Sequence, residues 1–212
     1  MNNLTLVIPA KEESDSLPIV LKELSNYNHK IIISVEKDDF QTINSVKEFN
    51  CEIIYQSKKG YGNAIIDGIK NIKTDYFCIF NADGSFDPNN LNEMLNLCKK
   101  NDFIFASRYK KNSGSDDDTI ITIIGNFIFT KIVNIFFKIN ISDVLYTYIV
   151  GKKSSVDKLN LSSDDFCLCV ELPIKAKREN MFLKDVSSYE RKRIAGKKKV
   201  NELRDGFKIL IY

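Results

Sequence analysis

Tyr76-Phe77-Cys78-Ile79-Phe80-Asn81-Ala82-Asp83-Gly84-Ser85 is the stretch on which the fold turns. Its first five side chains are all apolar or aromatic, too few for a helix and too uniform for a strand with one wet face. The run therefore reads as a strand buried on both sides. Working outward, Gly60 to Ile72 carries Ala64, Ile65, Ile69 and Ile72 at helical spacing, and Pro88 to Cys98 carries Leu91, Met94, Leu95 and Cys98 likewise. Beyond these lie four more strand-like runs, Leu4 to Ile8, Ile31 to Val35, Ile53 to Gln56 and Phe103 to Ser107, with Ser16 and Pro18 marking a further helix start. Strands alternating with helices predict an α/β fold: a Rossmann-like, mostly parallel sheet flanked by helices, with ligands bound beyond the carboxyl ends of the strands.

Polar and glycine-rich sequence collects at those ends: Pro9-Ala10-Lys11-Glu12-Glu13, Glu36-Lys37-Asp38-Asp39, Lys58 to Asn63, Asn81 to Ser85, and Arg108-Tyr109. Asp83 projects just past a buried strand, where water or a ligand meets it. A carboxylate there can hold a divalent cation that bridges diphosphate oxygens. The alternative is a plain Asp83-Gly84 turn, with Asp87 capping the helix that opens at Pro88. Lys58 to Asn63 joins strand to helix with two glycines, which suits either a close backbone approach or an anion at the helix N-terminus.

The chain has 212 residues, enough for one sizeable domain and short for two. A net charge of +3 does not imply nucleic-acid binding, but six of the basic residues fall between Arg191 and Lys199. That cluster is either a solvated face or a loop that closes on phosphate. Cys51, Cys78, Cys98, Cys167 and Cys169 lie mostly in apolar runs and read as reduced thiols of a cytoplasmic protein. Cys167 and Cys169 would point the same way in a strand, with no further metal-ligating residue beside them. His29 sits in a polar turn and is assigned no role. Met1 to Pro9 carries no secretory signal.

After a polar loop, Lys110 to Asp118, the stretch Thr119 to Lys138 repeats Thr119, Thr122, Asn126, Thr130, Asn134 and Lys138 at intervals of three or four. This predicts an amphipathic helix with a narrow polar stripe, suited to a core or an interface. Two lysines, two asparagines and Gly125 argue against a membrane span.

Taken in order, these segments resemble family 2 of the inverting glycosyltransferases, in its dolichyl-phosphate mannosyltransferase-like, or polyprenyl-phosphate glycosyltransferase, branch. Val7-Ile8-Pro9-Ala10-Lys11-Glu12-Glu13 resembles its opening motif, Gly60 to Ala64 with Gly68-Ile69 its glycine-rich turn and helix, and Asn81-Ala82-Asp83 its metal motif. Ser107-Arg108-Tyr109, Gly125-Asn126, Asp143 and Arg193 to Lys199 resemble later motifs. The resemblance implies a GT-A fold in one domain, 1–212, with a nucleotide-sugar-binding half, 1–110, and an acceptor-side half, 111–212. It implies that Pro9, Ala10, Glu13, Glu36, Gly60, Asn81, Ala82 and Asp83 bind the donor. It further implies that Asp83, Asn81 and Ser85 hold Mg²⁺ or Mn²⁺, and that Asp83, Arg108, Arg193 and Lys199 act in catalysis, the last two on a closing loop.

Three positions depart from the family: Asn81 replaces an aspartate, Lys11 a tyrosine, and Thr119 to Ile124 lacks an expected arginine. The expected activity is inverting transfer of a hexose from a UDP- or GDP-sugar to a polyprenyl or dolichyl phosphate, on the cytoplasmic side of a membrane. Relatives often continue into membrane helices beyond Phe207 to Tyr212; if the chain is whole, attachment comes from elsewhere or from a partner. Two alternatives stand beside it. One is transfer to a saccharide hydroxyl, with Asp143 or Asp165 as base; the other is a nucleotide-sugar-binding pseudoenzyme.

Overall fold

The computed structural model describes residues 3–196, 206, 208 and 209. Seven strands form one sheet in the order β3-β2-β1-β4-β7-β5-β8, where β1 is Leu4–Ala10, β2 Lys30–Val35, β3 Glu52–Tyr55, β4 Tyr76–Ile79, β5 Phe103–Ser107, β7 Ile149–Lys152 and β8 Leu183–Ser187. All pairings are parallel except those of β7 with β4 and β5. The five strands expected from the apolar runs are all present, at nearly the expected limits. A two-stranded ribbon joins β6, Gly114–Ser115, to β9, Tyr189–Glu190.

The sheet is apolar on both faces because helices cover both. α1, Leu17–Leu24, and α4, Leu91–Cys98, pack with Leu6, Ile8, Phe80 and Tyr148 on one side. On the other, α3, Tyr61–Asn71, α5, Ile120–Phe137, and α7, Leu168–Arg178, pack with Val7, Phe77, Phe103 and Phe105. Two short helices, α2 (Phe40–Ser45) and α6 (Lys153–Val156), complete the set. Pro88–Asn90 is a 3-10 turn capped by Asp87, so the α-helix expected from Pro88 begins at Leu91. Gly68 brings α3 onto the sheet, since a Cβ there would fall 2.3 Å from the Val7 methyl carbon Cγ1. Cys167 and Cys169 lie at the start of α7, not in a strand, so they do not share a face.

α5 is turned inside out relative to an ordinary surface helix. Its polar stripe faces the protein: Asn126 donates to the Tyr109 hydroxyl, the Thr130 hydroxyl accepts from the Val144 N–H, and Asn134 bonds both backbone groups of Ile141. Its apolar side faces out, with Ile120, Ile121 and Phe136 each more than three-quarters exposed and Ile124, Phe127, Ile128 and Ile135 also exposed. Thr130 and Val133 are its buried residues.

Candidate active site

The carboxyl ends of β1 to β5 open into a cavity of about 810 Å³, large enough for a nucleotide-sized ligand. Pro9, Ala10 and Glu13 line it after β1, Glu36 after β2, Gly60 after β3, Asn81 to Asp83 and Ser85 after β4, and Arg108 after β5. The loops expected to converge do so. Lys199 lies outside the described residues.

Asp83 is fixed from behind. Its Oδ1 accepts from the Ser85 N–H at 3.0 Å and the Ser85 hydroxyl at 2.7 Å, while Oδ2 lies 3.8 Å from Arg193 Nη1. Ser85 is 2% exposed and gives its hydroxyl proton to the carboxylate, holding Asp83 in place. Asn81 Oδ1 accepts from the Tyr61 hydroxyl at 3.3 Å, and that hydroxyl is 2.7 Å from Thr147 Oγ1. The Tyr61 ring stacks on Phe166 at 4.6 Å. Asp83 and Asn81 thus present a carboxylate and an amide carbonyl, hard oxygen donors of the kind Mg²⁺ or Mn²⁺ takes, with one negative charge between them. Among the described residues no three His, Cys, Asp or Glu groups cluster as a metal cage. The charge of the cavity favours a cation. Glu12, Glu13, Glu36, Asp83, Asp117, Asp118 and Glu190 line it, against Lys11, Arg108 and Arg193 among the described residues.

The segment after β9 is strapped along the Asp83 turn. Arg191 N–H donates to the Ser85 carbonyl and Ile194 N–H to the Asp83 carbonyl, both at 2.8 Å. The Arg191 side chain reaches the Gly84 and Phe86 carbonyls and forks onto Glu23. Arg191 is therefore a structural tie, its guanidinium committed to Glu23 and to two backbone carbonyls. Arg193 donates to Asp117 Oδ2 at 2.9 Å and faces the cavity beside Asp83.

Arg108 lines the cavity, but its guanidinium is already engaged. Asp143 takes Nε at 2.8 Å and Nη2 at 3.1 Å, Glu190 takes Nη1 at 3.1 Å, and Asp118 stands 3.5 Å away. The Tyr146 and Tyr109 rings flank it at 4.7 and 5.3 Å. Burial opposes the charge of Arg108, and Asp143 more than offsets it, holding the group protonated well above its ordinary range. Burial also pushes the Glu190 carboxyl up, against the pull of Arg108. Asp143 is 1% exposed and committed to this pair, so it cannot serve as a base toward an acceptor. Asp165 Oδ1 accepts from the Cys167 N–H, its Oδ2 pairs with Lys208, and it is not among the lining residues.

Glu36, 8% exposed, is gripped by Lys11 at 3.0 Å and Lys59 at 2.8 Å. The hydrogen bond from Lys59 leads in lowering its pKa, so it is ionised at neutral pH. The glycine turn serves close approach, not an anion. A Cβ at Gly60 would sit 2.0 Å from the Asp164 carbonyl oxygen, and one at Gly62 2.2 Å from that of Ser163. Asn63 N–H donates to the Asp164 carbonyl, which occupies the helix N-terminus.

Sequence reasoning missed Asp117, Tyr61, Thr147, Phe166 and Glu190. The acidic run Asp116 to Asp118 was the available signal for the first, since adjacent carboxylates before a helix seek either its N-terminus or a cation.

A parallel sheet interrupted by one antiparallel strand, with a cavity lined by charged and apolar side chains over its carboxyl edge, defines a GT-A fold. The family model of Glycosyl transferase family 2 matches residues 5–159, and the chain belongs to that family. Over 112 residues it is 25% identical to an uncharacterized glycosyltransferase of Mycobacterium tuberculosis (strain ATCC 25618 / H37Rv), covering 52% of this chain and 50% of that protein. Over 192 residues it is 20% identical to a low-salt glycan biosynthesis hexosyltransferase of Haloferax volcanii, covering 86% of this chain and 46% of that one. The chain thus spans about half the length of these curated relatives.

Among solved structures, glucosyl-3-phosphoglycerate synthase from Mycobacterium tuberculosis, in complex with Mn²⁺, UDP and glucosyl-3-phosphoglycerate, matches with a TM-score of 0.76 at 9% identity, covering 99% of this chain and 77% of that one. Mannosyl-3-phosphoglycerate synthase from Rubrobacter xylanophilus matches at 0.70 and 14% identity, covering 98% and 70%.

Proposed function

We propose that this chain transfers a hexose, with inversion, from a UDP- or GDP-sugar to the phosphate of a polyprenyl or dolichyl carrier at the cytoplasmic face of a membrane. The observation that carries the acceptor is α5, whose apolar side faces outward next to the cavity mouth, with Lys131 and Lys138 and no acid along its length. Apolar side chains flanked by cations suit an anionic lipid surface.

The donor's nucleoside lies along Pro9, Ala10, Glu13 and Glu36, and its diphosphate points toward Asp83 and Arg193. Asp83 and Asn81 are the residues that would hold a divalent cation, which when bound neutralises charge on the leaving diphosphate. Arg193 adds a guanidinium on the same side and turns from Asp117 toward the phosphates. Arg108 acts one layer below, fixing Asp118 and Glu190 and through them the loops on which Asp117 and Arg193 stand. A phosphate monoester has a second pKa of about 6, so the acceptor is already an anion near neutral pH and needs no base. The protein's contribution is then orientation and charge stabilisation.

The test pairs flotation on vesicles of anionic lipid with assays of nucleotide-sugar consumption using prenyl phosphates. Binding at low salt and product with a prenyl phosphate are expected. Absence of both, with transfer to a soluble hydroxyl acceptor, rejects the lipid assignment. Asp117 favours that second reading, because it is a cavity-lining carboxylate within reach of Arg193 and could accept a hydroxyl proton. In that case Asp117→Asn abolishes transfer and leaves donor binding intact.

A further inference from the structure

Asn81 stands where an aspartate was expected, and its side chain is the middle link of a run of hydrogen bonds that ends on Asp83. Thr147 Oγ1 lies 2.7 Å from the Tyr61 hydroxyl, which lies 3.3 Å from Asn81 Oδ1. Asn81 Nδ2 lies 3.4 Å from Ser85 Oγ, and Ser85 Oγ lies 2.7 Å from Asp83 Oδ1. The direction of every link follows from the last one. A carboxylate only accepts, so the single hydroxyl proton of Ser85 goes to Asp83. Ser85 Oγ can then only accept from Asn81, which turns the amide nitrogen toward Ser85 and the amide oxygen toward Tyr61. Tyr61 therefore donates to Asn81, and Thr147 donates to Tyr61. Position 81 has to give a proton at one end and accept one at the other. An amide does both. An aspartate there would either set an acceptor against Ser85 Oγ or draw the Ser85 proton away from Asp83. The Tyr61 ring is held in its turn by stacking on Phe166, with the planes 19° apart.

From this geometry we infer that Tyr61 is a positioning residue for the cation site: its hydroxyl aims the Asn81 amide and, through Ser85, fixes the Asp83 carboxylate. The inference rests on the reading that Asp83 and Asn81 hold a divalent cation, and adds to it the reason that the site carries an amide at 81. A carbonyl oxygen has two lone pairs; Tyr61 takes one at Asn81 Oδ1 and leaves the other for the cation. Tyr61 is the first residue of α3 and Thr147 lies just ahead of β7, so two packed elements bear on the loop after β4 and hold both ligands from behind.

Tyr61→Phe removes the hydroxyl and keeps the ring that stacks on Phe166. Affinity for UDP and for GDP is measured by calorimetry on the full chain, without metal and at saturating Mn²⁺, so that the ratio isolates what the cation adds. The wild type is expected to bind one of the two nucleotides more tightly with Mn²⁺. Outer partners of metal ligands are typically worth about 10- to 100-fold in metal affinity, so Tyr61→Phe should lose about tenfold of the Mn²⁺ gain while its metal-free affinity keeps the wild-type value. Asn81→Asp, despite its added charge, is expected to gain no more from Mn²⁺ than the wild type does. A Tyr61→Phe variant with the full Mn²⁺ gain, or with equal losses in the presence and absence of metal, overturns the inference, and so does a larger gain in Asn81→Asp. Those outcomes leave the cation assignment standing. No Mn²⁺ gain in the wild type with either nucleotide removes that assignment, and the inference with it.

Discussion

Replacing Arg108 with glutamine leaves the Asp143 carboxylate buried without its bidentate partner, and Glu190 and Asp118 without their shared cation. Breaking a buried pair from one side costs about 3–5 kcal/mol, because the remaining charge is stranded in a poor solvent for it. Urea unfolding of Arg108→Gln is expected to show a loss of that size, and Arg108→Met with Asp143→Leu to recover part of it. A loss under about 1 kcal/mol, accompanied by a raised donor KM, would return Arg108 to the phosphates. The sequence marked Arg108 as a functional position, but its partners lie 10, 35 and 82 residues away and no local spacing reveals them. Asp83 and Glu36 were legible for the opposite reason: Glu36 follows directly on β2 and Asp83 lies four residues past the end of β4, so the chain itself carries each side chain to the cavity edge.

At the scale of elements, α7 holds the loop that holds α3. Glu171, with its side chain fully buried, accepts from the N–H groups of Ser162 and Ser163 and pairs with Lys175 at 2.6 Å. That loop presents the Asp164 carbonyl to the glycine turn at Gly60 and Gly62. Burial works against the Glu171 charge, yet Lys175 and the two N–H groups prevail and lower its pKa from 4.5 to about 2. The unfolded chain therefore binds the proton first as pH falls. Stability from this group is complete above about pH 4.5 and drains away as pH drops toward 2, amounting to on the order of 3 kcal/mol. Glu171→Gln should lower stability at pH 7 and flatten the dependence across that window, as read from urea midpoints at pH 7, 4 and 2.5. Parallel curves for the two proteins would mean that Glu171 does not carry it. The turn was legible as a place of close approach, but what approaches is a hundred residues further on. β7 escaped notice because Gly151 reads as a strand breaker until the Phe77 and Phe103 rings are seen to flank it.

For the whole molecule, the sheet was legible and the outer surface was not. Burial on both faces forces continuous apolar runs, and such runs survive translation into sequence with few alternatives. The periodicity of Thr119 to Lys138 defines a polar stripe and an apolar one but not which of them meets solvent, and the usual assignment is reversed here. The inward threonines and asparagines are satisfied by Tyr109, Val144 and Ile141, so nothing in the fold requires the apolar side to be covered. Replacing Ile120, Ile124, Phe127 and Ile135 together with serine or glutamine removes exposed side chains alone. Surface changes of this kind usually shift stability by about 0.5 kcal/mol or less each. The melting temperature should therefore move by only a few degrees, while flotation on anionic vesicles is lost and light scattering reports a smaller particle than the wild type in detergent-free buffer. A large fall in melting temperature would mean instead that these side chains are packed in the native protein, and α5 would then belong to an interface between protein surfaces rather than to a lipid one.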